Sequence, residues 1–287
     1  MHFLAAWAEP NNCAIALAAA LLGLLVGSFL NVVIHRLPQM MLRDTANFIA
    51  HERGEAQPYT GRYDLLLPRS ACPHCQTPLP PHHNVPVLSW LLLRGRCGEC
   101  RAPIGLRYPA VELLTAGLFA LAAWRFGAGL TGLAVMACGA FLVALAFIDA
   151  GTMLLPDDLT LPLLWLGLLV NLNHRIAPLH DAVLGAAAGY AALWLIFWIF
   201  KLATGKEGLG YGDFKLMAAL GAWLGWQALP LVLLSACAMG AAAGIALVLA
   251  GRHQRGQALP FGPYLAIAGM LALLYGSDWL TFGIYDY

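Results

Sequence analysis

Long apolar runs alternate with short polar connections along the 287-residue chain. Eight runs approach the roughly 20 residues a helix needs to cross a bilayer, covering residues 12–34, 109–126, 130–148, 159–173, 181–201, 214–228, 230–250 and 259–276. The pattern predicts an all-α polytopic membrane protein of about eight transmembrane helices. The fourth and sixth runs are the weakest, because Pro162 interrupts one while Gly221 and Gly225 dilute the other. The first run has no basic residue ahead of it and outruns the about 7–15 residues of a secretory signal core, so it is expected to be a retained helix.

A single sizeable polar segment, residues 38–107, lies between the first two runs. The expected organisation is therefore a first transmembrane helix over 1–37, a small zinc-ribbon-like domain over 38–107 and a seven-helix membrane core over 108–287. Pro73, Pro78, Pro80, Pro81 and Pro86 argue against long helices in the polar segment, since proline lacks the amide donor and fixes φ. Elsewhere the connections are short, and there is no repeat of the kind that builds inverted-repeat transporters.

Composition agrees: 60% of residues are hydrophobic, 11% are charged and mean hydropathy is +0.71, far from globular averages. A net charge of +1 implies no acidic or basic partner, and basic residues scattered over short loops exclude a nucleic-acid surface. Their distribution does orient the chain. With the N-terminus outside and eight spans, every one of the 16 lysines and arginines faces the cytoplasm except Arg125 and Arg175. A seven-span thread would send later basic loops outside. Both termini are thus expected on the non-cytoplasmic side, with residues 38–107 in the cytoplasm.

Within that segment, Cys72-Pro-His-Cys75 and Cys97-Gly-Glu-Cys100 form two CxxC pairs. This spacing suits a closed, structural Cys₄ zinc site with no position left for substrate. Two disulfides are the competing reading, disfavoured in a reducing compartment. His74, His82 and His83 lie nearby as further ligands or plain loop residues, whereas Cys13, Cys138 and Cys237 stand singly in apolar runs and read as small hydrophobes.

Two carboxylates sit where apolar runs meet the cytoplasmic edge: Asp149 at the end of the third run, and Asp213 after Gly210-Tyr-Gly212 at the start of the sixth. Facing carboxylates share a proton, one acting as base toward water and the other polarising a carbonyl, which is aspartic-protease chemistry. Gly210 and Gly212 would let an extended backbone approach Asp213, and Lys215 is a nearby cation that would bias the shared proton. The plainer alternative makes Asp149 a wetted terminal residue, Asp213 a dipole-favoured helix start and Lys215 a topology-obeying lysine. Asp157 and Asp158 read as helix initiators after Pro156, and Glu112 as a hydrogen-bonded structural acid.

Taken in order, the motifs resemble the type IV prepilin peptidases, bifunctional leader peptidase and N-methyltransferase enzymes of bacterial inner membranes. The matching elements are Gly27-Ser-Phe-Leu-Asn-Val-Val-Ile-His-Arg-Leu-Pro38, the paired CxxC motifs, Tyr108-Pro-Ala-Val-Glu-Leu-Leu-Thr-Ala116, Asp149 with the following Leu-Pro-Asp, Gly210-Tyr-Gly-Asp213 with Lys215, Gly221-Ala-Trp-Leu-Gly225 and Pro260-Phe-Gly-Pro263. The resemblance implies catalytic roles for Asp149 and Asp213. It also implies cleavage of basic leaders from the prepilins of type IV pili and the pseudopilins of type II secretion, followed by methylation of the new N-terminus from S-adenosylmethionine. No Rossmann-type glycine signature marks a methyl-donor site. Among other classes, an ion or solute transporter would place its acids near the midplane, and a non-catalytic zinc scaffold gives no reason for a glycine-flanked acid. A metalloprotease would need His-Glu-x-x-His, which is absent.

Overall fold

The computed structural model describes residues 10–80, 85–206, 208–251 and 259–280; His82 and His83 lie outside them. Among the described residues the secondary structure is helical apart from two isolated β-bridges, and all eight apolar runs fall on helices. Five helices are long and apolar enough to cross a membrane, so the chain is an all-α polytopic membrane protein. It divides into two compact units, residues 1–128 and 129–287.

The first unit contains α1 (Pro10–Glu52), α2 (Leu88–Leu92) and α3 (Arg107–Phe126). Helix α1 continues well beyond its apolar run, through Pro38 and into the polar segment expected to form a small domain without long helices. Arg36, Gln39, Arg43 and Asn47 recur at helical spacing and make a polar face on which the segment from Tyr59 to Pro68 docks. Tyr63 donates its hydroxyl to Gln39 at 2.6 Å, and the Arg43 guanidinium lies 3.7 Å from the centre of the Tyr63 ring. Asn47 exchanges two hydrogen bonds with the Tyr59 backbone, and Arg36 donates to the carbonyls of Asp64 and Pro68. These contacts hold the helix past the rung that Pro38 removes. Toward its start, α1 meets α3 through small residues, since a Cβ on Gly27 would lie 2.7 Å from Glu112 Cα.

The second unit contains α4 (Leu130–Thr152), α5 (Asp157–Asn171), α6 (Leu179–Thr204), α7 (Tyr211–Leu224), α8 (Leu229–Leu249) and α9 (Gly262–Leu280). Helix α7 is the centre of this unit, packed by α5, α6, α8 and α9. From Asp213 to Trp223 every residue is buried except the half-buried Lys215. A helix apolar on all sides belongs inside a bundle, which explains why the sixth run is short. Gly225, at φ 81° and ψ 168°, ends α7 in a conformation that side chains strongly disfavour. The buried Asn171 closes the same end: its amide donates to the Ala222 and Trp223 carbonyls and accepts from the Ile176 and Ala177 amides. Carbonyls that the last turn of α7 would otherwise leave without donors are thereby satisfied.

Helices α6 and α7 touch backbone to backbone at Gly185 and Gly221, where a Cβ on either glycine would overlap the other's carbonyl. Gly221→Leu is therefore expected to destabilise the second unit by about 3 kcal/mol, the upper end of overpacking costs. Thermal unfolding in detergent checks this against Gly117→Leu, which has open space around its Cβ and should leave the midpoint unchanged.

Candidate active site and metal centre

Asp149 lies in the last turn of α4, buried, with Oδ2 accepting the N–H of Gly262 at 2.9 Å. Gly262 opens α9, so its amide has no acceptor within that helix. A carboxylate there also meets the positive end of the helix dipole. Asp213 is the third residue of α7 and caps its own helix: Oδ2 accepts the N–H of Gly210 at 3.1 Å, while the Asp213 N–H donates to the Gly210 carbonyl at 3.2 Å. The two buried carboxylates are close enough for the charge of Asp149 to act on Asp213. Asp213 Oδ1 is buried without a hydrogen-bond partner. Two carboxylates so arranged favour one proton between them, leaving one base and one acid.

The flanking residues separate into different jobs. A Cβ on Gly212 would lie 2.6 Å from Leu155 Cβ, so that glycine is required by packing against the chain after α4. A Cβ on Gly210 would meet nothing closer than Asp213 Oδ2 at 3.5 Å, so the exposed Gly210 leaves space in front of the carboxylate. The ammonium of Lys215 sits on Asp157, 2.6 and 2.7 Å from its two oxygens, and ties the first turn of α5 to α7. Asp157 and Asp158 do begin α5 after Pro156.

Gly262 belongs to the Pro260-Phe-Gly-Pro263 element, but nothing local connects it with Asp149, 113 positions away. A Cβ at Gly262 would lie 2.7 Å from Asp149 Oδ2. Gly262→Ala should therefore displace the carboxylate and lower peptide cleavage by about 10²-fold, the effect of a misplacement near 1 Å. Cleavage kinetics beside an unchanged helical circular dichroism spectrum test it.

In the first unit, Cys72, Cys75, Cys97 and Cys100 bring their sulfurs within 4.8 Å of one another, all as free thiols. Two matching knuckles produce the cluster. Cys72 N–H donates to Thr77 O and Gln76 N–H to Cys72 O, and Cys97 N–H donates to Ala102 O and Arg101 N–H to Cys97 O. Gln76 and Arg101 both take positive φ, 56° and 57°, and bridges at Ala71–Pro78 and Arg96–Pro103 close the two turns. The Thr77 hydroxyl and amide hold the Cys75 thiol down at about 6, and the Cys100 and Glu99 amides lower that of Cys97. An amide from Ala102 favours the Cys100 thiolate too, but desolvation and the crowding sulfurs push that thiol up to about 11. Only a cation lets all four ionise together. Sγ of Cys72 and Cys100 lie 3.8 Å apart, the edge of a tetrahedron with metal–sulfur bonds of about 2.3 Å.

Beside the knuckles is a cavity of about 400 Å³ whose lining includes Asn31, Arg36, Trp90, Tyr108 and Glu112. Glu112 accepts the Val87 N–H at 2.7 Å, with Ser28 and Asn31 also on its carboxylate. The expected bonded role of Glu112 is therefore present.

Residues 21–126 match the family model described as the bacterial peptidase A24 N-terminal domain, and residues 136–245 match the type IV leader peptidase family. A prepilin leader peptidase/N-methyltransferase of Aeromonas hydrophila is 56% identical over 263 residues, covering 90% of each chain. Similar proteins of the same description are those of Pseudomonas aeruginosa, 52% identical over 92% of each chain, and Stutzerimonas stutzeri, 50% identical over 93% of each. No solved structure matches the chain. With both family regions present in order and relatives of this identity along nearly its whole length, the chain belongs to the type IV leader peptidase family.

Proposed function

We propose that this membrane enzyme removes the basic leader of type IV prepilins and pseudopilins with Asp149 and Asp213, and methylates the N-terminus it exposes. The observation that carries the peptidase reading is the pair of buried, interacting carboxylates. Each has one oxygen on a helix-opening amide, and Asp213 Oδ1 has no partner of its own. One carboxylate takes a proton from water as its oxygen adds to the scissile carbonyl carbon, and the other protonates the carbonyl oxygen. The carboxyl that took the proton from water then gives it to the amide nitrogen while the other carboxylate takes back a hydroxyl proton, so the tetrahedral centre collapses, the C–N bond breaks and the mature chain leaves with a free amine. Gly210 leaves room for the substrate backbone beside Asp213, and Lys215 fixes α7 through Asp157.

Zinc fits the four sulfurs, by donor type and by the spacing between them, and its role there is structural. S-adenosylmethionine, when bound, supplies an electrophilic methyl group to the amine. The site is expected to face the cytoplasm of a bacterial inner membrane with both termini on the periplasmic side, a reading supported by the lysine and arginine distribution. Tags at both termini should report from the periplasm and a tag within residues 40–65 from the cytoplasm; termini on opposite sides would overturn the eight-span thread. The activity itself is tested by incubating the purified protein in detergent with a prepilin-like peptide and S-adenosylmethionine. Mass spectrometry should find leader loss and a methyl increment on the mature fragment. An uncut peptide would sink the peptidase reading.

A further inference from the structure

The first turn of α7 carries an aromatic side chain that the two-carboxylate chemistry does not use. Tyr211 packs on Phe197 of α6 and on Phe214 of its own helix, with ring centres 5.4 and 5.5 Å away, and those two rings meet each other at 5.7 Å. Phe197 and Phe214 are fully buried, yet Tyr211 remains 55% exposed. Its ring is held from beneath by a closed triangle while its outer face stays open. The connection leading into this turn is pinned as well, since a Cβ on Gly208 would lie 2.8 Å from the Phe200 ring. A ring already fixed in this way gives up little freedom when another group lands on it, and it favours an aromatic partner in edge-to-face or offset contact. Its place is what connects it with the reaction. The exposed Gly210 precedes it, and Asp213 follows two positions later, about 200° further around a helix of 3.6 residues per turn. Carboxylate and ring thus leave opposite sides of one turn, with Gly210 ahead of both. An extended chain rising about 3.3 Å per residue crosses the about 10 Å width of a helix in about three residues. A substrate whose scissile carbonyl sits at Asp213 therefore meets Tyr211 with a side chain no more than about three residues from the cut. Tyr190, 5.8 Å from Phe214, continues the cluster away from the end at which Gly210 is exposed. The aromatic side is the apolar one, matched to the mature segment and not to the basic leader.

We propose that Tyr211 is a specificity-determining residue, its outer ring face taking an aromatic side chain from the first three residues of the mature segment as the extended substrate crosses Gly210. The assignment rests on the leader-peptidase reading above and adds a side-chain contact to the two carboxylates. The ring makes the contact, and the phenolic hydroxyl is not required.

The test uses the full-length protein in detergent and two prepilin-like peptides, alike except that the first three mature positions are phenylalanine in one and serine in the other. Serine and phenylalanine have similar helix propensity, so the pair does not differ in ease of unwinding. The wild type should cut the phenylalanine peptide with a kcat/KM at least about tenfold higher, or about 1.4 kcal/mol in discrimination. Tyr211→Ala should bring the two peptides within about twofold of each other, by a loss on the phenylalanine peptide alone that appears in KM and leaves kcat nearly unchanged, the signature of lost uniform binding. Tyr211→Phe should keep the wild-type preference. A wild type without preference, or a preference that survives Tyr211→Ala, overturns the proposal. An equal loss on both peptides also overturns it, since that is what a purely structural or membrane-anchoring tyrosine would give. Photocross-linking to the unmodified protein gives a measure independent of any variant, and it decides alone if Tyr211→Ala does not fold. With benzoylphenylalanine placed at each of the three mature positions in turn, at least one peptide should label residues 197–214; no label there from any position overturns the assignment. In all these cases leader cleavage by the wild type still stands. A wild type that cuts neither peptide refutes the peptidase reading itself.

Discussion

Asp149→Asn and Asp213→Asn should each reduce leader cleavage by at least about 10²–10⁴-fold, the share of rate that positioned acids and bases supply. The amide preserves shape and volume. It can also accept the helix-opening N–H that each carboxylate now accepts, from Gly262 and Gly210 respectively. What it cannot do is hold a shared proton, so the fold should survive while the chemistry stops. The double variant should be scarcely worse than either single one, because groups that act as a unit lose their function together. Cleavage assays on variants matched for expression and membrane insertion provide the measurement. Substantial proteolysis by either single variant would remove both residues from the mechanism.

The second large effect concerns the knuckles. Structural zinc contributes on the order of 10–16 kcal/mol to small domains that fold around it. Apart from the short α2, the chain between Glu52 and Arg107 has no α-helix among its described residues to hold it otherwise. Replacing any one of Cys72, Cys75, Cys97 or Cys100 by serine should abolish stoichiometric zinc and open this segment to proteases, leaving the membrane helices folded. Methyl transfer should fall further than peptide cleavage, because the carboxylate pair belongs to the other unit. Mild acid should release the metal as the thiolates protonate, with the same order of losses. Less than about half an equivalent of zinc per gently purified wild-type chain, with four titratable thiols, would contradict a closed four-sulfur site.

The features visible in the sequence were those written in local spacing. Apolar runs marked every long helix, and two CxxC pairs marked the sulfur cluster, because each knuckle is closed by hydrogen bonds within a few residues. Contacts between distant segments were not legible. Helix α1 passes Pro38 because Tyr59 and Tyr63 dock on it, which no apolar count can foresee. The two glycines before Asp213 look equivalent in sequence, yet one faces Leu155 and the other open space. Lys215 reads as a cation near Asp213 until the fold brings Asp157 to it. Gly262 and the Asn31–Glu112 lining depend on helix pairings that local patterns do not encode.

The enclosure of α7 limits the direction from which a substrate can arrive. Between Asp213 and Trp223 only Lys215 is even half exposed, so within its unit this helix offers almost no lateral face to a neighbour diffusing in the lipid plane. Its N-terminal end is different, with Gly210 and Tyr211 exposed. On the proposed mechanism a substrate helix cannot lie alongside the helix that carries Asp213 and has to come end-on, over Gly210. Intrahelical hydrogen bonds conceal backbone carbonyls, so the scissile stretch must also unwind on entry. Sequences that end their helical propensity at the cleavage point would then be cut faster than continuous helices of the same charge, a selectivity set by the route to the carboxylates, with no side-chain pocket required.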